Sequence, residues 1–288
     1  MINADLHCHS DCSDGTLAPE AVAALAQRGG VELWSLTDHD TLEGQSRART
    51  AAHALGMDYL CGVEVSVSFI GRTVHIVGLG VDVENPALVA GLTATRSGRD
   101  ARAQQMAEGL AAVGIEGAYA GALRHAPSPQ GIARTHFARF LVDSGVCADL
   151  NEVFRRYLTE GRPGYVEHRW AGLGDALRWI TGACGLAVLA HPARYRFSPT
   201  EEHALFTEFI GHGGRGVEVV TGSHSAAEQA RYADVAGEYG LLASRGSDFH
   251  ALGESRAELG TLPALPARLT PVWQALQPRV QRAALSLA

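Results

Sequence analysis

Six consecutive residues near the start of the chain carry its densest chemistry: Asp5-Leu6-His7-Cys8-His9-Ser10, with Ser13-Asp14-Gly15 close behind. In an extended strand alternate side chains share a face, so Asp5, His7 and His9 project together. Two imidazoles beside a carboxylate form part of a coordination shell for a transition-metal ion. The same pattern can also serve packing or hydrogen bonding, so its meaning depends on what else converges there. Matching groups recur along the chain: Thr37-Asp38-His39-Asp40, Gly62-Val63-Glu64, Thr73-Val74-His75, Ala190-His191-Pro192 and Ser247-Asp248-Phe249-His250, with Gly216-Val217-Glu218 adding a carboxylate. Each sits in or just after a short apolar run. Ligand-type residues at so many separate strand ends predict a metal site.

The elements that must position these residues alternate in type. Residues 3–9, 33–37, 59–68, 73–80, 186–190, 216–220 and 241–244 read as short buried strands. Residues 18–28, 42–55 and 226–239 read as helices between them, the first with Pro19 in its opening turn. Seven apolar strands alternating with helices predict a parallel sheet covered by helices, closed into a barrel with one unit fewer than the usual eight. In such a barrel catalysis sits at the C-terminal ends of the strands. From 97 to 167 the rhythm changes to helices alone (99–112, 117–124, 129–142 and 150–158), which predicts a helical insertion beside the active face. The expected organisation is therefore a barrel from residues 1–96 and 168–288, with a helical lid or substrate domain at 97–167.

Bulk properties narrow the functional classes. With 288 residues and 46% hydrophobic content the chain is long enough for one large barrel, and its composition is globular. No apolar run reaches membrane-spanning length uninterrupted, and no leader pattern follows Met1, so a cytoplasmic protein without membrane contact is expected. The net charge of −7 argues against a surface that coats nucleic acid. All 24 basic residues are Arg, so any phosphate clamp must use Arg, His, backbone N–H groups or metal. The cysteines (Cys8, Cys12, Cys61, Cys147, Cys184) are odd in number and scattered, and read as reduced, mostly buried thiols.

Taken together, the motifs resemble those of the polymerase and histidinol phosphatase (PHP) superfamily. Asp5-Leu6-His7-Cys8-His9-Ser10 is similar to its first motif, Thr37-Asp38-His39 to its second, His75 and His191-Pro192 to its central histidines, and Ser247-Asp248-Phe249-His250 to its last. The resemblance covers nearly the whole chain. It implies an α/β fold of the TIM-like PHP type, a distorted (β/α)7 barrel, and three divalent metal ions, Mn2+ with Fe2+ or Zn2+ as the other choices. By the same resemblance one ion would take His7, His9 and Asp248, with Glu64 bridging to a second. The second would take Glu64, His75 and His191, and the third Asp14, His39 and His250.

Within that superfamily the length and the helical insertion most resemble the nucleoside 3',5'-bisphosphate phosphatases, a group that includes 5'-to-3' exoribonucleases. Ala133-Arg134-Thr135-His136 keeps the Arg and His of the group's Gly-Arg-Pro-His element, and His191-Pro192-Ala193-Arg194 follows its His-Pro-Gly-Arg element with Ala in place of Gly. Three divalent ions bring about +6 and the three carboxylates about −3, and a bridging hydroxide leaves roughly +2, which suits a phosphate monoester dianion better than a neutral amide. The implied reaction is in-line attack of that hydroxide on phosphorus, releasing the 3'-phosphate of nucleoside 3',5'-bisphosphates such as adenosine 3',5'-bisphosphate. His136 is the candidate to protonate the leaving group. Arg134, His136 and Arg194 are candidates to bind substrate, with Arg162 behind them.

Other polar residues have blander readings. Asp5 and Asp38 would orient imidazoles or cap turns, Glu218 would line the pocket or pair with Arg, and the remaining histidines would be structural or exposed. The expected partner is a small phosphorylated nucleotide or short RNA, with no obligate protein partner. Histidinol-phosphate phosphatase, exoribonuclease and non-catalytic PHP module are the alternatives. The last should have lost ligands, whereas all nine positions here are occupied.

Overall fold

The first strand, β1 (Ala4–Asp5), is only two residues long and pairs in parallel with the second. The computed structural model describes residues 2–284. After β1 come α1 (Pro19–Arg28), β2 (Leu33–Trp34), α2 (Gln45–Ala54), β3 (Asp58–Tyr59), β4 (Gly62–Phe69), β5 (Arg72–Leu79) and α3 (Pro86–Arg96). A helical block follows: α4 (Arg99–Ala111), α5 (Ala118–Leu123), α6 (Arg134–Asp143) and α7 (Leu150–Val153), the last running into a π-helical turn at Phe154–Leu158. The chain then alternates again through β6 (Ala171–Gly172), α8 (Leu173–Gly182), β7 (Leu186–Leu189), α9 (Pro199–Gly211), β8 (Gly216–Thr221), α10 (Ala226–Glu238), β9 (Leu242–Gly246) and α11 (Val272–Ala275).

These strands form a mixed α/β fold. One sheet is parallel, in the order β1-β2-β3, and the other has the order β6-β4-β5-β7-β8-β9. The larger sheet is not all-parallel as the alternation predicted, because β5 runs against both β4 and β7. The cause is local. Ile70 and Gly71 both take positive φ (46° and 72°), and such a two-residue turn can only return the chain antiparallel. In the hairpin Glu64, Ser66 and Ser68 lie opposite Val77, His75 and Thr73, while Val63, Val65 and Val67 turn to the buried apolar side. Glu64 and His75 therefore project from the bodies of their strands and not from the C-terminal ends.

Backbone bonds tie the two sheets together in two places, after β1 and after β2. Leu6 N–H donates to Arg245 O at 3.0 Å and Asp248 N–H to His7 O at 2.8 Å, while Glu64 N–H donates to Thr37 O at 3.1 Å and Asp40 N–H to Glu64 O at 2.8 Å. Gly246 permits the first contact, since a Cβ there would lie 2.3 Å from the Cβ of His7.

Leu6, Leu36, Val65, Ile76, Val188, Val217 and Phe249 belong to one buried apolar core. Met106, Leu110, Phe137, Leu141, Val153 and Leu158 form a second, separate cluster within the helical block. Helix α3 was absent from the pattern reading although its signals are present: Asn85 caps it by accepting from the Ala87 and Leu88 N–H groups, and Pro86 occupies its first turn. Among the described residues no helix is long and apolar enough to cross a membrane. All five cysteines are free, with Cys8, Cys61 and Cys147 buried, Cys12 half-buried and Cys184 exposed.

Candidate metal centre

Three buried carboxylates fix the segments that carry the metal-type ligands. Asp38 accepts from Ser10 N–H (2.7 Å), Ser10 Oγ (2.6 Å) and Ser13 Oγ (2.6 Å), pinning the loop that leads to Asp14. Burial lifts its carboxyl to about 6 despite those bonds. Asp5 accepts from Ser247 N–H at 2.8 Å and Gly260 N–H at 3.2 Å, holding the segment with Asp248 and His250. Neither touches an imidazole, so the expectation that they orient histidines gives way to anchoring of loops. Glu218 takes that orienting part instead. One carboxylate oxygen lies 2.7 Å from His7 Nδ1 and the other accepts His191 N–H at 2.6 Å. A proton on His7 Nδ1 leaves the Nε2 lone pair facing inward.

Every ligand-type residue singled out in the sequence converges on one region. His7 Nε2, His9 Nε2, Glu64 Oε2 and Asp248 Oδ1 face one another, with His7–His9 at 3.2 Å, His7–Glu64 at 3.2 Å, His9–Glu64 at 3.3 Å, His9–Asp248 at 3.3 Å and His7–Asp248 at 3.5 Å. Four donors about 2.0–2.1 Å from a tetrahedral ion lie roughly 3.3–3.4 Å apart, so these edges fit a bound cation. Glu64 divides its two oxygens. Oε2 also faces His39 Nδ1 at 3.0 Å, while Oε1 faces His75 Nδ1 at 3.0 Å and His191 Nε2 at 3.1 Å. A further group gathers around Asp14 Oδ1: His250 Nε2 at 3.3 Å, and His9 Nδ1 and His39 Nε2 each at 3.9 Å. His7, His191 and Asp248 also come together as a possible ligand group.

Hydrogen bonding within the protein does not satisfy this assembly. His9 Nδ1, His39 Nδ1, His75 Nδ1, His191 Nδ1 and Asp14 Oδ1 are buried without hydrogen-bond partners. Orphaned buried nitrogens and oxygens are costly, and divalent cations would satisfy those that face into the cluster, such as His75 Nδ1 and Asp14 Oδ1, while His191 turns its Nε2 toward Glu64. His/Asp/Glu clusters of this kind fit divalent metal binding. The backbone is also strained here: His191 and Asp248 have φ of 27° and 55°, and Asp40, next to His39, has 54°.

Electrostatics divides the histidines. Burial, then His250 and His39, push His9 down to about 3, while burial and Arg194 push His191 down to about 3. Burial opposes charge on His39 too, but the Glu64 and Asp14 carboxylates outweigh it and raise the imidazole to about 9. Asp14, Glu64 and Asp248 are held well below the usual carboxylate range, because neighbouring histidines overcome the effect of burial. The centre thus keeps its carboxylates ionised and ready to bind cations.

Beside the cluster lies a cavity of about 120 Å³ whose wall includes Glu64, His75, His191, Asp248, Arg99, Arg102, Arg134, Arg194, Phe154 and Trp170. Arg194 Nη1 donates to Asp248 Oδ2 at 2.7 Å. Arg102 and Arg134 have no carboxylate within ion-pair distance among the described residues, and their guanidiniums lie 5.4 Å and 6.0 Å from the Trp170 and Phe154 ring centres. Burial, reinforced by Arg134 and Arg99, lowers Arg102 to about 9, the signature of a cation short of a counter-charge. Pattern reading missed Arg102, Trp170 and Phe154. The Arg99/Arg102 spacing was a helical-face signal, but alone it reads as solvated charge. A larger cavity, about 600 Å³, opens between α6–α7 and the 247–256 segment and reaches Asp248 and His250.

His136 is placed differently from its expected part as leaving-group acid. Its side chain is fully buried, and Nδ1 accepts Ala133 N–H at 2.9 Å at the start of α6. Burial lowers it to about 4, so at neutral pH it has no spare proton to give, and it does not line either cavity. The geometry makes it a helix cap. Arg134 and Arg194 do line the cleft, whereas Arg162 is exposed elsewhere. Of the histidines expected to be structural or exposed, His224 packs on the Tyr232 ring with Nδ1 3.1 Å from Val219 O, and His203 is exposed with Nδ1 2.7 Å from Tyr239 Oη.

Residues 5–119 match the PHP domain family. Over 284 residues the chain is 50% identical to a 3',5'-nucleoside bisphosphate phosphatase of Chromobacterium violaceum, covering 99% of this chain and 100% of that protein. It is 36% identical to a 5'-3' exoribonuclease of Haemophilus influenzae, covering 94% and 97% of the two chains. A solved structure from Chromobacterium violaceum, described as an amidohydrolase with bound sulfate and no metal, shares 49% identity and a TM-score of 0.96, covering 99% of this chain and 100% of that one. The chain belongs to the PHP domain family.

Proposed function

We propose that this protein is a metal-dependent phosphomonoesterase that removes the 3'-phosphate from nucleoside 3',5'-bisphosphates. The observation that carries the reading is the pairing, in one cleft, of a cation-hungry His/Asp/Glu cluster with two half-buried arginines, Arg102 and Arg134, that lack a carboxylate partner among the described residues. A substrate with two phosphates answers both needs: one phosphate at the cluster, the other against Arg102 and Arg134. Full-length likeness to a protein named as a 3',5'-nucleoside bisphosphate phosphatase supports the same substrate.

In this reading His7, His9, Glu64 and Asp248 hold one ion, Glu64, His75 and His191 a second, and Asp14, His39 and His250 a third, with Mn2+ as the preferred metal. Bound there, divalent ions supply positive charge for the phosphate oxygens and acidify water. The protein's own part is positional. Glu218 keeps the proton of His7 on Nδ1, Asp38 and Asp5 hold the ligand-bearing loops, and Arg194, leaning on Asp248, faces the cleft as a further phosphate partner.

The two sheets are read as one distorted (β/α)7 barrel of β1, β2, β4, β5, β7, β8 and β9, supported by the backbone bonds that join the segment after β1 to β9 and the segment after β2 to β4. Of the expected barrel segments 1–96 and 168–288, the described residues 2–96 and 168–284 are read as that barrel, residue 1 and residues 285–288 lying outside the described residues. Residues 97–167 are read as a lid or substrate domain with its own apolar cluster. Five free thiols suit a reducing cytoplasm. A second reading, release of mononucleotides from short RNA, is favoured by the 600 Å³ cavity next to Asp248 and His250, which has room beyond one nucleotide.

The test is phosphate release by chelator-treated, Mn2+-reconstituted enzyme from adenosine 3',5'-bisphosphate, AMP, histidinol phosphate and short RNA. The bisphosphate should turn over with the highest kcat/KM. Turnover of histidinol phosphate alone would overturn the nucleotide reading, and no turnover with any metal would overturn the enzymatic one.

A further inference from the structure

Asp14 differs from the other ligand-type residues in what holds it. Glu64, His75, His191 and Asp248 are supported from the two sheets and their connecting loops, by groups such as Glu218, Tyr195 and Arg194. Asp14 is held from the helical block. Thr135 Oγ1, in the first turn of α6, donates to Asp14 Oδ2 at 2.9 Å. One turn further along α6, Arg139 Nη1 donates to the Asp14 carbonyl at 2.7 Å, and its guanidinium also grips Glu254, four residues beyond His250, with Nη2 at 2.9 Å from the carboxylate. Among the described residues no other side chain of the nine ligand positions accepts a hydrogen bond from residues 97–167.

The consequence is geometric. A carboxylate on a short stem can rotate, and each orientation presents different lone pairs. With Oδ2 engaged by Thr135, Oδ1 is left buried, free of hydrogen bonds and turned toward His9, His39 and His250. Thr135 also lies in the wall common to both cavities, so a shift of α6 changes the cleft and the Asp14 carboxylate together.

We propose that Thr135 is a positioning residue through which the helical block completes the Asp14–His39–His250 metal position, so that cation affinity at this position alone depends on where α6 sits. The inference rests on the metal reading above. Its test compares wild type, Thr135→Val and Thr135→Ser after chelation and dialysis, by Mn2+ titration with calorimetry and by bound metal per chain. Thr135→Val keeps shape and removes the donor. Thr135 is only half-buried, so the variant should fold, which the melting temperature of the metal-free protein checks.

Thr135→Val should bind Mn2+ at one position about 10-fold or more weakly, with the other positions unchanged. Thr135→Ser should restore binding. Equal affinity and stoichiometry in wild type and Thr135→Val would overturn the proposal, as would equal weakening at every position. A wild type that binds no Mn2+ would instead overturn the metal reading, and this inference with it.

Discussion

Glu218→Gln is the sharpest probe of the centre because it removes a carboxylate charge and turns one acceptor into a donor at almost no change in volume. Glu218 is fully buried and both its oxygens accept: one faces His7 Nδ1 at 2.7 Å, the other takes His191 N–H at 2.6 Å. An amide has one acceptor and one donor, so it cannot satisfy both neighbours. With its oxygen toward His7, the NH2 opposes the His191 N–H, two donors at hydrogen-bond distance, which costs about 1–3 kcal/mol. With the amide turned over, NH2 faces His7 Nδ1 and the imidazole proton moves to Nε2. That nitrogen points at Glu64 and Asp248, where a cation should bind. Either route weakens metal binding at the His7 position by roughly 10–100-fold, or about 1.4–2.7 kcal/mol. The loss should appear in Mn2+ titration by calorimetry and as reduced kcat/KM at limiting Mn2+, recovering in part at high Mn2+. Wild-type Mn2+ affinity together with wild-type turnover in Glu218→Gln would refute the argument that this carboxylate sets the His7 tautomer.

Three other outcomes follow from the same contacts. Arg102→Met and Arg134→Met should each raise KM for a nucleoside bisphosphate about 10-fold or more, in keeping with about 1.5–3 kcal/mol for a hydrogen bond to a charged group. The same changes should leave turnover of a monophosphate without the distal group near wild type, and equal losses on both substrates would sink the two-phosphate reading. Asp40→Asn breaks the buried pair with Arg99 and should destabilise the protein by about 3–5 kcal/mol in urea denaturation, because it leaves a guanidinium uncompensated; a loss under about 1 kcal/mol would contradict it. His136, depressed to about 4 by burial, contributes stability that is complete above its ordinary value near 6.5 and is lost as pH falls toward 4. The stability advantage of wild type over His136→Asn should therefore shrink by about 2 kcal/mol between pH 7 and pH 5, at about 1.4 kcal/mol per pH unit, and a pH-independent difference would be incompatible with a buried neutral imidazole.

Several features were readable from the order of residues alone. Ligand-type residues in several separate segments were legible, as were the i, i+2 pairs His7/His9 and Asp248/His250, whereas the set of nine positions came from the resemblance to the PHP superfamily. The helical run of 97–167 was legible because its periodicity is local, and α4 (Arg99–Ala111) lies within one residue of the expected helix. What depends on faces meeting across the molecule was not legible. The Ile70-Gly71-Arg72 turn between residues 59–68 and 73–80 was readable from sequence, but the β/α alternation still read as an all-parallel sheet, which the positive φ at Ile70 and Gly71 overrides by reversing β5. Glu218 had two equal readings until β8 brought it against His7, and Asp5 and Asp38 turned out to hold loops and not rings. His136 shared its motif with Arg134, yet one side of α6 faces the cleft and the other its own apolar cluster, so one residue lines the cavity and its neighbour caps the helix. Residue type and spacing determined which atoms are available to bind cations and phosphate. Tertiary packing decided which of them are buried, unpaired and aimed at one another, because burial and counter-charge come from segments hundreds of residues apart in the chain.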